Sequence, residues 1–179
     1  MGLRSLKFDV ECLTLDVLIV HTFMSLNIPS IQKIDGNSFR IAIIASRYNE
    51  TLVDSLIHHA CLELEASGAT APAIERVTGA TELPFAAAML AEHGSFDAII
   101  CIGVVIAGDT NHHEIIGRST ATALIDLSIA KKIPVINGIL VVNNRLQAEA
   151  RVGEEINRGK EFAQSALEMA KFTKKWKMN

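Results

Sequence analysis

Apolar residues run unbroken through Ile41-Ala42-Ile43-Ile44-Ala45, leaving no polar position for a solvent-facing side. Such a run predicts a strand covered on both faces. The spacing then changes: Leu52, Val53, Leu56, Ile57, Ala60 and Leu64 recur every three or four residues, the period of an amphipathic helix. Asn49 stands where it can cap that helix, Glu50 lies in the first turn, and Gly68 ends it. The alternation repeats. Residues 73–77 predict a short strand and 82–91 a second helix, with Pro84 in the first turn, where a missing N–H costs nothing, and Gly94 after the end. Residues 98–106, the most apolar stretch, predict a third strand, 114–131 a third helix and 134–140 a fourth strand. Two amphipathic helices, 145–153 and 158–172, close the pattern, and Lys174-Lys175-Trp176-Lys177 reads as a polar, frayed tail.

Four apolar strands alternating with helices predict a parallel sheet in a three-layer α/β/α sandwich. The 179 residues suit one domain, here 39–172, with an N-terminal extension over 1–38 and a polar tail over 173–179. In a sheet of this kind ligands bind beyond the carboxyl ends of the strands. That rule directs attention to four loops: 46–49, 78–82, 107–113 and 141–144.

Composition narrows the picture. With 49% hydrophobic and 21% charged residues the chain has the make-up of a folded domain. Seventeen basic against 20 acidic side chains give a net charge of −3, which supplies no electrostatic reason to expect nucleic acid or an anionic membrane as partner. Cys12, Cys61 and Cys101 are odd in number, widely spaced and set among apolar neighbours, so neither a disulfide framework nor a zinc site is expected. Reduced thiols of this kind fit a cytoplasmic compartment. Near the start, Arg4 and Lys7 precede Val17-Leu18-Ile19-Val20, a superficial likeness to a signal peptide. Asp9, Glu11 and Asp16 interrupt it, and the run is far short of the roughly 20 apolar residues of a membrane span. The expectation is instead that Met24 is the native start.

Each loop carries candidate chemistry beside a plainer reading. Tyr48, the only tyrosine, can stack on a flat heterocycle with Asn49 supplying amide hydrogen bonds. Taken alone, Asn49 is more simply a helix cap. Thr78-Gly79-Ala80-Thr81-Glu82-Leu83-Pro84 is a small-residue turn opening a helix, whose free N–H groups can receive ligand hydroxyls or a carbonyl. Glu82 would ordinarily be a first-turn partner of the helix dipole. Gly108-Asp109-Thr110-Asn111-His112-His113-Glu114 offers glycine and a hydroxyl before a helix, a plausible anion site provided the Asp109 carboxylate faces away. A histidine there can move protons near neutral pH. Consecutive His112 and His113 seldom aim at one ion, so no metal is expected. Arg151 on a later helix is either a fork for phosphate or a solvated surface group.

Together these segments resemble the lumazine synthases. Tyr48-Asn49-Glu50 is similar to that family's aromatic-Asn-Glu motif, and Gly79-Ala80-Thr81-Glu82-Leu83-Pro84 to its Gly-Ala-aromatic-Glu-aliphatic-Pro turn. Further blocks are the strand and loop from Cys101 to His112, Pro134-Val135-Ile136-Asn137-Gly138-Ile139-Leu140 with Gln147-Ala148 and Arg151, and Arg158-Gly159-Lys160-Glu161-Phe162-Ala163 with Ala166-Leu167-Glu168-Met169. Each is weak alone; five in register are specific. The resemblance implies a flavodoxin-like fold with a four-stranded parallel sheet. It implies condensation of 5-amino-6-(D-ribitylamino)uracil with 3,4-dihydroxy-2-butanone 4-phosphate, without metal or organic cofactor. By matched position, His112 transfers protons, and Tyr48 stacks on the pyrimidine. Asn49, Gly79, Ala80, Thr81, Glu82, Val104, Val105, Ile106 and Asn137 bind the ring and ribityl chain. Asp109, Thr110 and Arg151 hold phosphate, Arg151 reaching across a subunit boundary.

The resemblance also implies homopentamers, in some members twelve of them forming a shell, with active sites between neighbours and riboflavin synthase as a further partner. Residues 31–38 are then candidates to pair with an adjacent subunit. The chain departs from the pattern at Thr78 (usually proline), Thr81 (aromatic), Ala107 (commonly arginine), Val141 (frequently threonine) and Glu155 (near an expected lysine). The 151–159 loop is about one residue short. These departures bear on the phosphate site more than on the pyrimidine site. Two alternatives follow: a related riboflavin synthase activity, or a non-catalytic flavin-binding or shell-forming relative. Ala107 and Glu155 favour the second; Asn49, Gly79, Ala80, His112 and Arg151 favour the synthase.

Overall fold

The computed structural model describes residues 34–177. The expectations for residues 1–33, including a start at Met24 and a reduced Cys12, lie outside the described residues, as does the first part of 31–38. In chain order the elements are β1 (Ile41–Ser46), α1 (Glu50–Ala66), β2 (Ala73–Val77), a 3-10 turn (Ala80–Glu82), α2 (Leu83–His93), β3 (Ala98–Ile106), α3 (His112–Lys131), β4 (Val135–Val142), α4 (Arg145–Val152) and α5 (Arg158–Lys177). All strand pairs are parallel, in the order β2-β1-β3-β4. The order reverses between β1 and β3, which opens a crevice at the strands' carboxyl ends.

Alternation along each strand divides the core. Ile41, Ile43, Ile100 and Ile102 face α1, α4 and α5 and meet Val53, Leu56, Leu64, Ala148 and Leu167. Ala42, Ile44, Ile99 and Cys101 point the other way, onto Leu83 and Ala87 of α2 and Leu124 of α3. The result is the predicted three-layer α/β/α, flavodoxin-like sandwich. Each fully buried Ile or Leu contributes roughly 1.5–3 kcal/mol relative to exposure, so this double-faced sheet is the main source of stability. Because burial is complete on both faces of β1 and nearly so on β3, their sequences carry no alternation.

Gly68 does end α1: at φ +81° it lets its own N–H reach Glu65 O and that of Ala69 reach Leu64 O, satisfying the last carbonyls. Several boundaries differ from expectation: β4 runs two residues further, to Val142, α2 two further, to His93, and three other differences bear on the site and the tail. The helix after β2 begins with a 3-10 turn at Ala80, before α2 proper. Helix α3 starts at His112, two residues earlier than its apolar pattern suggests, which places both histidines in its first turn. Helix α5 runs on to Lys177, so the polar tail is helical where fraying was expected. Phe172 and Trp176 contact across one turn, with ring centroids 6.2 Å apart, and Lys174 Nζ lies 5.4 Å from the Phe39 ring. Lysines in a last turn also complement the helix dipole. No helix among the described residues is long and apolar enough to cross a membrane.

Candidate active site

Register sets the strand ends in two steps, since Ala45 lies opposite Ile102 and β3 runs on past the end of β1 to Ile106. Ser46 pairs with Val77, and Ile106 with Val142, so the loops that follow open on one edge of the sheet. Backbone bonds lace them together: Arg47 N donates to Val77 O at 3.0 Å and Ala107 N to Val142 O at 2.8 Å.

Asn49 holds a left-handed conformation, φ 56° and ψ 43°. Its carbonyl accepts from Leu52 N at 2.9 Å and Val53 N at 3.1 Å, so it does occupy the cap position of α1. Its side chain does not cap. The amide instead donates from Nδ2 to Val104 O, at 2.8 Å, tying the first loop to the end of β3. The expected cap therefore gives way to a cross-strand tether. Tyr48 is 68% exposed, with its ring beside the second loop: a Cβ added at Gly79 would lie 3.5 Å from Tyr48 Cδ2.

In that second loop Glu82 folds back on the turn instead of serving only as a dipole partner. Oε2 accepts from Gly79 N and Oε1 from Thr81 Oγ1, each at 2.7 Å. Glycine at 79 leaves room for this bond, since a Cβ there would stand 3.0 Å from Glu82 Oε2 and push the carboxylate aside by a few tenths of an ångström. Ala80 is buried beneath the turn, so its contribution to any ligand is through the main chain.

The third loop separates the two histidines. His113 Nδ1 lies 3.3 Å from Thr110 O, folded against its own loop, whereas His112 is exposed. Asn111 makes no side-chain cap, and its carbonyl receives the N–H of Glu114 and of Ile115. The helix start at His112 stands beside exposed Gly108, Asp109 and Thr110, and the polarity of a helix N-terminus favours an anion. Val104 is buried at the end of β3, with Val105 and Ile106 half-buried.

Two candidate residues do not join this group. Asn137 lies in the middle of β4 opposite Cys101, and its Oδ1 accepts from Ile139 N at 3.1 Å. At about 3.3 Å per residue it is roughly 17 Å back along the strand from Val142. Arg151 ends α4, in the helical layer opposite α3, and its Nη1 donates to Gln147 O at 2.8 Å. Among the described residues no hydrogen bond or ion pair joins it to Asp109, Thr110 or His112. Ser46, which heads the first candidate loop, has its Oγ buried beside Gly103 with no hydrogen-bond partner among the described residues. Nothing in a serine at a strand end signals such burial. Burial pushes the Cys101 thiol up to about 12 and raises that of Cys61, as inert packed cysteines require.

Residues 38–174, nearly the whole described fold, match the model of the 6,7-dimethyl-8-ribityllumazine synthase family. The chain belongs to that family. It is 40% identical over 129 residues to the 6,7-dimethyl-8-ribityllumazine synthase of Methylobacterium radiotolerans, covering 72% of this chain and 78% of the relative. To the protein of the same name from Thermococcus onnurineus it is 35% identical over 140 residues, 78% of this chain and 92% of the other. A third such relative, from Paraburkholderia phymatum, is 39% identical over 139 residues, 76% of this chain and 79% of the other. The family is one of transferases, and none of these relatives favours the non-catalytic alternative.

Proposed function

We propose that this chain is a 6,7-dimethyl-8-ribityllumazine synthase, condensing 5-amino-6-(D-ribitylamino)uracil with 3,4-dihydroxy-2-butanone 4-phosphate. The observation that carries the reading is a family match over 38–174, supported by the motif loops after β1, β2 and β3, which open on one sheet edge. The aryl amine attacks the ketone and water leaves as the imine forms. Loss of a proton from carbon expels phosphate, and attack by the ribitylamino nitrogen closes the ring with loss of a second water. An amine and a ketone already react, so the protein chiefly holds both partners and moves protons.

In this reading Tyr48 stacks on the pyrimidine, and the loop carrying Asn49 and the end of β3 at Val104–Ile106 frame its polar edge. Gly79, Ala80, Thr81 and Glu82 receive the ribityl chain. His112 moves the proton. Asp109 and Thr110, through the open N-terminus of α3, take phosphate together with Arg151. Because Arg151 and Asn137 stand apart from this cluster within one chain, each is supplied by a neighbouring copy. Exposed Phe85, Met89, Ile115, Ile125 and Ile129 on α2 and α3 support an assembly that covers them. A homopentamer is the proposed unit, with twelve of them in a shell as its larger form. The compartment is the cytoplasm, where the product would pass to a riboflavin synthase.

The test is to mix purified protein with both substrates and follow the absorbance and fluorescence of the lumazine. Product from the wild type, slowed by His112→Ala and by Arg151→Ala, is expected. A folded assembly that makes none from active substrates rejects the reading.

A further inference from the structure

Glu82 is the one carboxylate in the 78–84 turn, and the structure leaves neither of its oxygens free to wander. Gly79 N–H fixes Oε2 and the Thr81 hydroxyl fixes Oε1, both at 2.7 Å. The two bonds differ in kind. The main-chain bond comes with the fold of the turn, and the absent Cβ at Gly79 makes room for it. The Thr81 bond is an exposed side-chain contact that contributes little to folding. An oxygen of a carboxylate has about two acceptor directions, so one bond on each leaves the others directed outward. The Tyr48 ring lies beside the same turn, its Cδ2 3.5 Å from where a Cβ on Gly79 would stand. A flat ring on Tyr48 therefore projects its substituent over a carboxylate whose torsion is already set.

We infer that Thr81 is a positioning residue: its hydroxyl locks the Glu82 carboxylate so that the free acceptor directions meet the hydroxyls of a polyol chain attached to the ring. This rests on the synthase reading. Thr81 acts on the ribityl portion through Glu82, and not on the pyrimidine, the phosphate or the proton transfer. Without its hydroxyl the Glu82 side chain pivots about the remaining Gly79 bond, and ordering it again falls to the ligand. The loss belongs to binding, common to ground and transition states, and so to KM instead of kcat.

The experiment compares wild type, Thr81→Val, Thr81→Ser, Glu82→Gln and the double variant Thr81→Val/Glu82→Gln. Steady-state kinetics of lumazine formation is measured alongside equilibrium titration of 6,7-dimethyl-8-ribityllumazine and of 6,7,8-trimethyllumazine, which lacks the polyol. Thr81→Val is expected to raise the KM for the ribitylaminouracil about three- to tenfold with kcat within twofold, the scale of one lost charge-assisted hydrogen bond at an exposed site. It is expected to weaken ribityllumazine by a similar factor and trimethyllumazine not at all. Thr81→Ser should restore wild-type values, and Thr81→Val should add nothing once Glu82 is Gln. Equal weakening of both lumazines, a fall confined to kcat, or full additivity with Glu82→Gln overturns the inference. A wild type that makes no product yet binds ribityllumazine rejects the synthase reading alone, and the titrations still decide the role of Thr81. If neither ribityllumazine binding nor turnover occurs, both fall.

Discussion

Asn49 and Val104, 55 residues apart, are joined by a single hydrogen bond of 2.8 Å that fastens the loop after β1 to the end of β3. The backbone of Asn49 is left-handed, which turns its amide away from the helix it precedes and towards the neighbouring strand. Two changes separate these contributions. Asn49→Gly keeps the backbone and loses the bond, at a cost of about 0.5–1.5 kcal/mol. Asn49→Ala loses the bond and adds roughly 1 kcal/mol for a Cβ residue in the left-handed region. Thermal melts should rank wild type above Gly and Gly above Ala, with turnover reduced in both. Equal melting of the two variants would show that the left-handed backbone adds no cost.

How far the sequence reveals this site depends on whether a feature is periodic or relational. The unbroken apolar run from Ile41 to Ala45 and the spacing of Leu52 to Leu64 yield the elements directly, because burial on two faces or one stripe writes itself into the pattern. The reach of Asn49 to Val104 leaves no local trace: the same residue at the same place reads as a cap, and only the β1–β3 register decides otherwise. The division between His112 and His113 is hidden for a similar reason, since it depends on α3 starting two residues before its apolar stripe does. The resemblance assigned Arg151 to a neighbouring copy but left Asn137 unplaced, because a motif records order along the chain and not distance across it.

Helices α1 and α5 cross at Gly159, where an added Cβ would collide with the carbonyl of Leu56 and stand 2.9 Å from His59 Cβ. Gly159→Ala must push the helices apart, costing about 1–3 kcal/mol in urea unfolding. Gly108 has nothing within 4 Å of the same position. Gly108→Ala should change stability by less than about 0.5 kcal/mol. The reverse ranking would mean that the two helices are not in close contact at Gly159.

Burial holds Cys101 protonated up to about 12, against an ordinary 9.0 in the unfolded chain. Between those limits the unfolded state releases a proton that the native state keeps, so stability is complete below pH 9 and falls as pH rises towards 12. Denaturation midpoints measured from pH 8 to 11 should decline more steeply for wild type than for Cys101→Ala, although the alanine variant starts lower because it leaves a cavity. Identical slopes would remove Cys101 as a source of alkaline instability. In the folded protein at neutral pH the same thiol should resist Ellman's reagent.

Arg151 and His112 stand in opposite helical layers, with the arginine turned to its own helix at Gln147 O. If each site draws them from different copies, inactive variants can repair one another. His112→Ala and Arg151→Ala protein, unfolded together and reassembled in equal amounts, would place an intact His112 opposite an intact Arg151 at about one quarter of interfaces, because the two halves are drawn independently. Activity near a quarter of wild type is expected from the mixture and almost none from either variant reassembled alone. A mixture no more active than its parts would assign both residues to a single copy, and the fold would then need a movement of α4 to bring them together.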